Sequence, residues 1–382
     1  MRKGLIAAGL AVLMAVAVVT AAVAKPSAQA TPAQLAQCTN VSIGFLGPLT
    51  GVAAFLGQEQ VSWVRFGVQK YNRANGTRFK VVNGDTQLKA PVARTVARRL
   101  VSDSNVMAVV GGSESQAVRV SGNLFERANL ASISGSATAV DLTQGRPYRS
   151  FYRVVPNDAV QAPQVVNYVR RNLKANNVVV IDSQDDYSLP LATAIQRGLR
   201  ARGATVARES VSADDTDFSA VVANVGNDVD VVVFATQVAS AANTLSNQLR
   251  EQGKDAIVFG TDGAYSPTQY KPRLGYVSSF ANDIRFLPSA RSIVREYNRY
   301  SNNKAFGTFG PPSYMAGWVA MTAIKAACAD GNATRAEVTR LVRRTNIPSI
   351  LGGRVRFDGK GDPLPAKFYI FRVNGEKYTL VG

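Results

Sequence analysis

Short β-branched runs alternate with amphipathic stretches over nearly the whole chain, and this alternation constrains the fold more than any other feature. Apolar runs at 41–46, 79–82, 107–110, 130–133, 177–181, 230–235 and 256–260 read as buried strands. Between them, 58–71, 92–101, 116–128, 191–201 and 239–251 carry helical spacing with basic outer faces. Repeated β-α-β units imply an α/β fold, with parallel sheets covered by helices on both faces. Ligands of such sheets bind beyond the carboxyl ends of the strands. The pattern restarts near 151–155, and Val109-Val110-Gly111-Gly112 is echoed by Val233-Phe234-Ala235-Thr236, each a strand ending in small residues ahead of a helix. Two similar lobes are therefore expected. Helical stretches at 314–329 and 335–344 precede a return to strand character over 353–381, so the chain is expected to cross between lobes several times and form a hinge.

The chain has 382 residues, enough for two cores of ordinary size. At its start, Arg2 and Lys3 precede an apolar run from 5 to 23, followed by Ala22-Val23-Ala24 and Ala28-Gln29-Ala30. This reads as a secretory signal peptide over 1–24, cleaved as late as 30. A retained membrane anchor is the competing reading, disfavoured by the Ala/Val-rich composition and the small residues at its end. No later stretch is long and apolar enough to span a bilayer, so a soluble, exported protein is expected. Cys38 and Cys328 are the only cysteines, and in an exported chain they fit one disulfide; two free thiols are the alternative. Leu35-Ala36-Gln37-Cys38 is a poor lipoprotein box, because Gln37 is bulky and the apolar run ends well before it.

The formal charge is +18, from 44 basic and 26 acidic residues. The basic residues are scattered, with only short clusters such as Arg98-Arg99 and Arg343-Arg344, and none alternates with aromatics as a nucleic-acid surface requires. A solvated basic surface is expected, with an anionic wall or membrane as a further partner.

There is no histidine. That removes Ser-His and Cys-His nucleophile pairs, His-bearing metal sites and imidazole acid–base chemistry. Gly111-Gly112-Ser113-Glu114-Ser115 lacks the final Gly of a nucleophile elbow, Ser301-Asn302-Asn303-Lys304 has no K-T-G companion, and no phosphate-binding Gly motif occurs. The sequence points to a binding protein without cofactor or metal rather than to an enzyme; a secreted hydrolase is the rival from another class.

The remaining polar groups cluster at strand ends. Ser113 and Ser115 follow one strand; Ser134, Ser136 and Thr138 follow the next. Small residues there let backbone N–H groups approach a ligand, and a helix starting near Gln116 adds partial positive charge suited to a carboxylate. Taken alone, either cluster reads better as helix caps and turns. Asp262, after the strand at 256–260, reads alone as part of an Asp-Gly turn. If the lobes face each other, Asp262 meets the positive end of a ligand whose negative end lies at Ser115 and Thr138. That ligand is a zwitterion.

Ile43-Gly44-Phe45-Leu46-Gly47-Pro48-Leu49-Thr50-Gly51, the stretch from Val109 to Thr143, Asp215 to Ser219, Gly260 to Gly263 and Val355 to Asp362 together resemble the branched-chain amino acid binding proteins of ABC transporters. The resemblance covers nearly the entire mature chain. It implies the type I periplasmic-binding fold, two Rossmann-like lobes joined by three crossovers, with 39–155 plus 285–353 in one lobe and 156–284 plus 354–382 in the other. It also implies a monomer that hands an amino acid, of branched-chain or aliphatic type, to a membrane permease. Carried over by position, Ser115 and Thr138 take the α-carboxylate, while the Ser136 carbonyl and Asp262 take the ammonium. Tyr187 matches an aromatic that covers the ligand. Leu56 and Gln237 stand where relatives often carry aromatics, so the preference for Leu, Ile or Val is less secure than the clamp. An amide or urea binder and a ligand-sensing subunit are rivals of the same fold.

Overall fold

The computed structural model describes residues 35–38 and 40–382. The expected signal peptide lies outside the described residues. The chain begins with β1 (Leu35–Gln37), which pairs antiparallel with residues 332–334. The first sheet then forms from β2 (Ser42–Gly47), β3 (Lys80–Asp85), β4 (Val106–Gly111), β5 (Ala131–Ser134) and β6 (Phe151–Arg153), in the order β3-β2-β4-β5-β6 and parallel throughout. β2 and β4 are buried along their whole length. Helices cover both faces, so unbroken apolar runs rather than alternation mark these strands. The intervening helices are α1 (Ala54–Asn75), α2 (Ala90–Ser102) and α3 (Ser115–Arg127).

After β6 the chain crosses to a second sheet. There α4 (Asp158–Asn167), β7 (Asn177–Asp182), α5 (Ser188–Arg200), β8 (Thr205–Ser210), α6 (Ser219–Ala223), β9 (Val231–Ala235), α7 (Ala239–Glu251), β10 (Ile257–Gly260) and β11 (Gly275–Ser279) follow in turn. A second crossing leads to α8 (Arg291–Ser301), α9 (Gly310–Ala327), β12 (Asn332–Thr334), α10 (Arg335–Arg343) and a small hairpin of β13 (Asn346–Pro348) and β14 (Arg354–Arg356). α9 and α10 pack on β4 and β5, so this segment belongs with the first sheet. A third crossing returns the chain to add β15 (Tyr369–Asn374) and β16 (Lys377–Leu380) antiparallel at the edge of the second sheet, whose order is β16-β15-β11-β10-β9-β7-β8. In the two large sheets nearly every unit is thus a parallel β-α step, and only β15 runs against the rest, since β16 reverses again beside it.

α8 and α9 are held to α1 by an aromatic cluster centred on Trp63, which stacks on Tyr297 with ring centroids 3.8 Å apart. α9 approaches so closely that a Cβ on Gly310 would stand 1.9 Å from Trp63, which makes glycine obligatory there. The structure joins Cys38 to Cys328, tying the first described residues to the end of α9 across a sequence separation of 290.

Candidate functional site

The sequence-predicted residues follow the carboxyl ends of strands from both sheets, and all seven are buried. On the first-sheet side, β4 turns into α3 through Gly111 at φ 127° and Gly112 at φ 43°; a Cβ on Gly111 would lie 2.2 Å from the Leu46 carbonyl oxygen. This tight turn delivers Ser115 to the first position of α3, where its N–H has no intrahelical acceptor and the helix end is positive. Its Oγ accepts a hydrogen bond from the Ala139 N–H at 3.3 Å, linking α3 to the loop after β5. Ser136 Oγ donates to the Ser113 carbonyl at 2.6 Å and accepts from Gln60 Nε2 at 2.7 Å, so α1 is fastened to the same loop. Leu56 lies one helical turn before Gln60 on α1 and is buried. Ser113 and Ser134 are turn-formers. Ser113 Oγ donates to Leu46 O, while Ser134 Oγ donates to Gly112 O and accepts the N–H groups of Ser136 and Ala137.

Thr138 is fully buried, and its hydroxyl makes no hydrogen bond within the protein. The carbonyls on either side of it, of Ala137 and Ala139, accept from the Arg153 guanidinium at 3.1 and 2.8 Å. Arg153 is itself fully buried and pairs with Asp362 at 2.5 Å, so the loop bearing Thr138 is anchored to the third crossover.

The second-sheet side is built from titratable groups. Asp262 follows β10, and the Tyr187 hydroxyl lies 2.7 Å from Asp262 Oδ1 and 2.7 Å from Thr261 Oγ1. With a single proton, the phenol donates to the carboxylate when Asp262 is ionised. Tyr187 thereby orients Asp262 with its hydroxyl as well as contributing a ring to the site. Asp158, the first residue of α4, is 4% exposed, and neither of its carboxylate oxygens has a hydrogen-bond partner. Burial, and secondly the charge of Asp262, push the Asp158 carboxyl well above the usual range. Burial raises Asp262 from its ordinary 3.8 to about 6, with Tyr187 and Gln161 drawing it partly back. Gln161 donates to Ser278 Oγ at 2.8 Å, leaving its carbonyl oxygen unpartnered, as is that of Gln60. Gln237 bonds across the cleft, donating to Gln116 Oε1 at 3.3 Å. Arg119 spans the cleft as well. It forms a fork on Asp141 at 2.9 and 2.8 Å, donates to the Asp186 carbonyl at 2.8 Å and pairs with the Asp186 carboxylate at 3.2 Å.

This arrangement gathers hydroxyls, N–H groups and carboxylates, and the hydrogen-bond partner of Ser115 Oγ is a backbone N–H. It can hold an ion pair of opposite polarity at its two sides: N–H groups and hydroxyls on one, two carboxylates and amide oxygens on the other. Buried acceptors without donors are rare in folded proteins, and Asp158, Gln161 and Gln60 each carry one or more. A cavity of about 620 Å³ runs between α4 and α5 beside the site, bordered by Val140, Ala162, Pro163 and Leu191. It shares Asp158 with the site, but Ser115, Ser136, Thr138 and Asp262 do not line it.

Over residues 40–377 the chain matches the model of a family described as periplasmic binding protein. The chain belongs to this family. Among relatives of this binding protein, an amino acid binding protein of Pseudomonas aeruginosa is 26% identical over 344 residues, 87% of this chain and 90% of the relative. The Leu/Ile/Val-binding protein of Escherichia coli is 22% identical, covering 88% and 92%. In structure, the binding protein resembles the branched-chain amino acid transporter substrate-binding protein LivJ from Streptococcus pneumoniae, solved in complex with isoleucine. The TM-score is 0.80 at 25% identity, covering 90% of this chain and 99% of that one. A leucine-binding protein of Thermotoga maritima gives a TM-score of 0.78 at 22% identity, covering 90% and 98%. The type I periplasmic-binding fold expected from the sequence is the fold observed. Members of this family are binding proteins rather than enzymes, and among the described residues no helix is long and apolar enough to cross a membrane.

Three residues of the site escaped the sequence reading. Asp158 follows Pro156-Asn157 and looks like an ordinary first-turn acid, Arg153 sits in a three-residue strand, and Gln60 interrupts the apolar face of α1. Only Gln60, a polar residue between Leu56 and Val64, left a local signal.

Proposed function

We propose that this is the extracytoplasmic solute-binding component of an ABC importer, which closes on an amino acid between its lobes and presents it to a membrane permease. The observation that carries the reading is Asp158, buried beside Asp262 with the Thr138 hydroxyl near it and neither carboxylate oxygen in a well-formed hydrogen bond. An α-ammonium between the two aspartates, with the α-carboxylate at Ser115 and Thr138, supplies the donors these oxygens lack. The Ser136 carbonyl takes a further ammonium proton. Branched-chain and other aliphatic amino acids are the ligand class, supported by the buried Leu56 at the side-chain end and by relatives named for leucine, isoleucine and valine. Gln237 already donates an amide hydrogen to Gln116 Oε1.

In this reading, residues 39–155 with 285–353 form one lobe and 156–284 with 354–382 the other, in keeping with the sheet to which each segment attaches. The protein acts as a monomer outside the cytoplasm after loss of residues 1–24, with the Cys38–Cys328 bond formed on export. Because a ligand that binds only the folded state raises its melting temperature, a thermal-shift screen against common amino acids, amides and small acids tests the proposal. Leucine, isoleucine or valine should shift the midpoint. A shift by an amide or acid, with no α-amino acid active, would defeat the two-ended clamp.

A further inference from the structure

A second concave site shares no residue with the clamp and differs from it in charge. Where α10 meets the loop before β6, a cavity of about 510 Å³ is lined by Arg146, Arg149, Arg340 and Arg343, with Tyr152 and the crossover residue Gly359. No carboxylate lines it. Among the described residues, Arg340 has an exposed partner, Glu337 at 3.3 Å, whereas Arg149 and Arg343 form no ion pair. Arg146 is held in position. Its backbone sits at φ 54°, a region costly for a residue with a Cβ. Its guanidinium donates to the carbonyl of Lys360 and, at 2.9 Å, to that of Arg149, and stands 5.4 Å from the Tyr152 ring centre. Four guanidiniums converging on one concavity repel one another, and their concentration there goes beyond the scattered charge of the rest of the surface.

We propose that this cavity binds an anion bearing clustered phosphate groups. Guanidinium forks match phosphate oxygens two at a time, and a single carboxylate cannot neutralise four of them. Phosphates in series supply several charges within one cavity. The two sources of such chemistry are a soluble polyphosphate and the headgroups of an anionic membrane.

The test uses the full mature chain at low ionic strength, because exposed ion pairs are screened by salt. Binding of tripolyphosphate is measured by calorimetry and binding to phosphatidylglycerol vesicles by co-sedimentation. The unmodified chain is compared with R149Q/R343Q and with the charge-matched control R94Q/R98Q on α2, whose residues are exposed. Tripolyphosphate should bind, and R149Q/R343Q should weaken it by at least about tenfold, given the strength of charge-assisted bonds, while R94Q/R98Q changes it little. Vesicle binding lost in the same variant, without tripolyphosphate binding, would assign the site to headgroups instead. Equal weakening by both pairs would reduce the effect to diffuse charge and overturn the proposal, as would equally tight binding of citrate or no binding of either phosphate probe. Amino-acid binding, unchanged in R149Q/R343Q, confirms folding and keeps this outcome separate from the reading of the interlobe cleft.

Discussion

The two walls of the cleft hold their polar groups in opposite ways. On the first-sheet side, Ser113, Ser134 and Ser136 each close hydrogen bonds within the protein, and Arg153 fixes the carbonyls around Thr138. That wall is largely closed on itself, with the Thr138 hydroxyl and the Gln60 amide oxygen as its unpartnered groups. On the second-sheet side, Asp158 has no partner, Asp262 is raised to about 6, and the amide oxygen of Gln161 is unmatched. The neutral wall is a rigid template; the acidic wall stores unfavourable burial that a cation relieves. Closure around an amino acid therefore draws its ligand dependence mainly from the acidic side.

The largest effect is expected from breaking the template. Arg153→Met leaves Asp362, whose side chain is 15% exposed, without its charge partner and frees the Ala137 and Ala139 carbonyls. A loss of about 3–5 kcal/mol in denaturant-monitored stability is expected, and Arg153→Met/Asp362→Leu should recover much of it. If Arg153→Met is as stable as the parent, the first wall is not pre-built and the contrast between the walls fails.

Next comes the acidic wall itself. Asp262→Ala should weaken amino-acid binding by about 2–5 kcal/mol, read by calorimetry, while Ser115→Ala, which removes one neutral hydroxyl, should cost less. Asp158→Asn separates the two properties of this wall. It should reduce affinity yet raise the melting temperature of the ligand-free protein, because it removes a buried carboxyl whose ionisation is opposed by burial and by Asp262. Equal effects of Asp262→Ala and Ser115→Ala would show that charge does not distinguish the walls.

How far all this could be read in advance depended on whether each feature is local. Unbroken apolar runs exposed the parallel strands, whereas the small residues at the ends of β4, β5 and β10 read alone as caps and turns, and only the resemblance singles out Ser115, Ser136, Thr138 and Asp262. Edge strand β8, Thr205–Ser210, went unread because it is half exposed and polar, and β11, Gly275–Ser279, because it ends in serines. α4 was hidden by Pro163 in its interior. Arg153 is the clearest limit. An arginine in a short strand reads as surface, and its partner Asp362 lies 209 residues away, so nothing nearby signals that it is buried.

The pH dependence gives a smaller and more discriminating test. Asp262 titrates near 6 in the folded protein, above its ordinary 3.8, so the fold holds a proton that the unfolded chain releases. Its contribution to ligand-free stability is full below about 4 and lost as pH rises through about 6. Affinity runs the other way, because an ammonium needs the ionised carboxylate. Below about pH 6, binding displaces a proton, and the association constant should fall by up to about tenfold per pH unit. Asp262→Asn should flatten this slope, measured by calorimetry between pH 5 and 8, whereas Ser115→Ala should leave it intact.

The smallest effect is expected where the walls touch directly. Arg119 pairs with Asp186, and with side chains 26% and 48% exposed the pair is screened by solvent. Such pairs contribute about 0.2–1 kcal/mol, so Asp186→Asn, which keeps the carbonyl contact and the Arg119–Asp141 fork, should weaken ligand binding by no more than about fivefold. The weakening should appear as faster ligand release and should vanish at high salt, where the pair is already screened. A larger, salt-independent loss would mean that closure is driven at the rim of the cleft instead of by the buried carboxylates, and the acidic wall would then be a consequence of closure and not its cause.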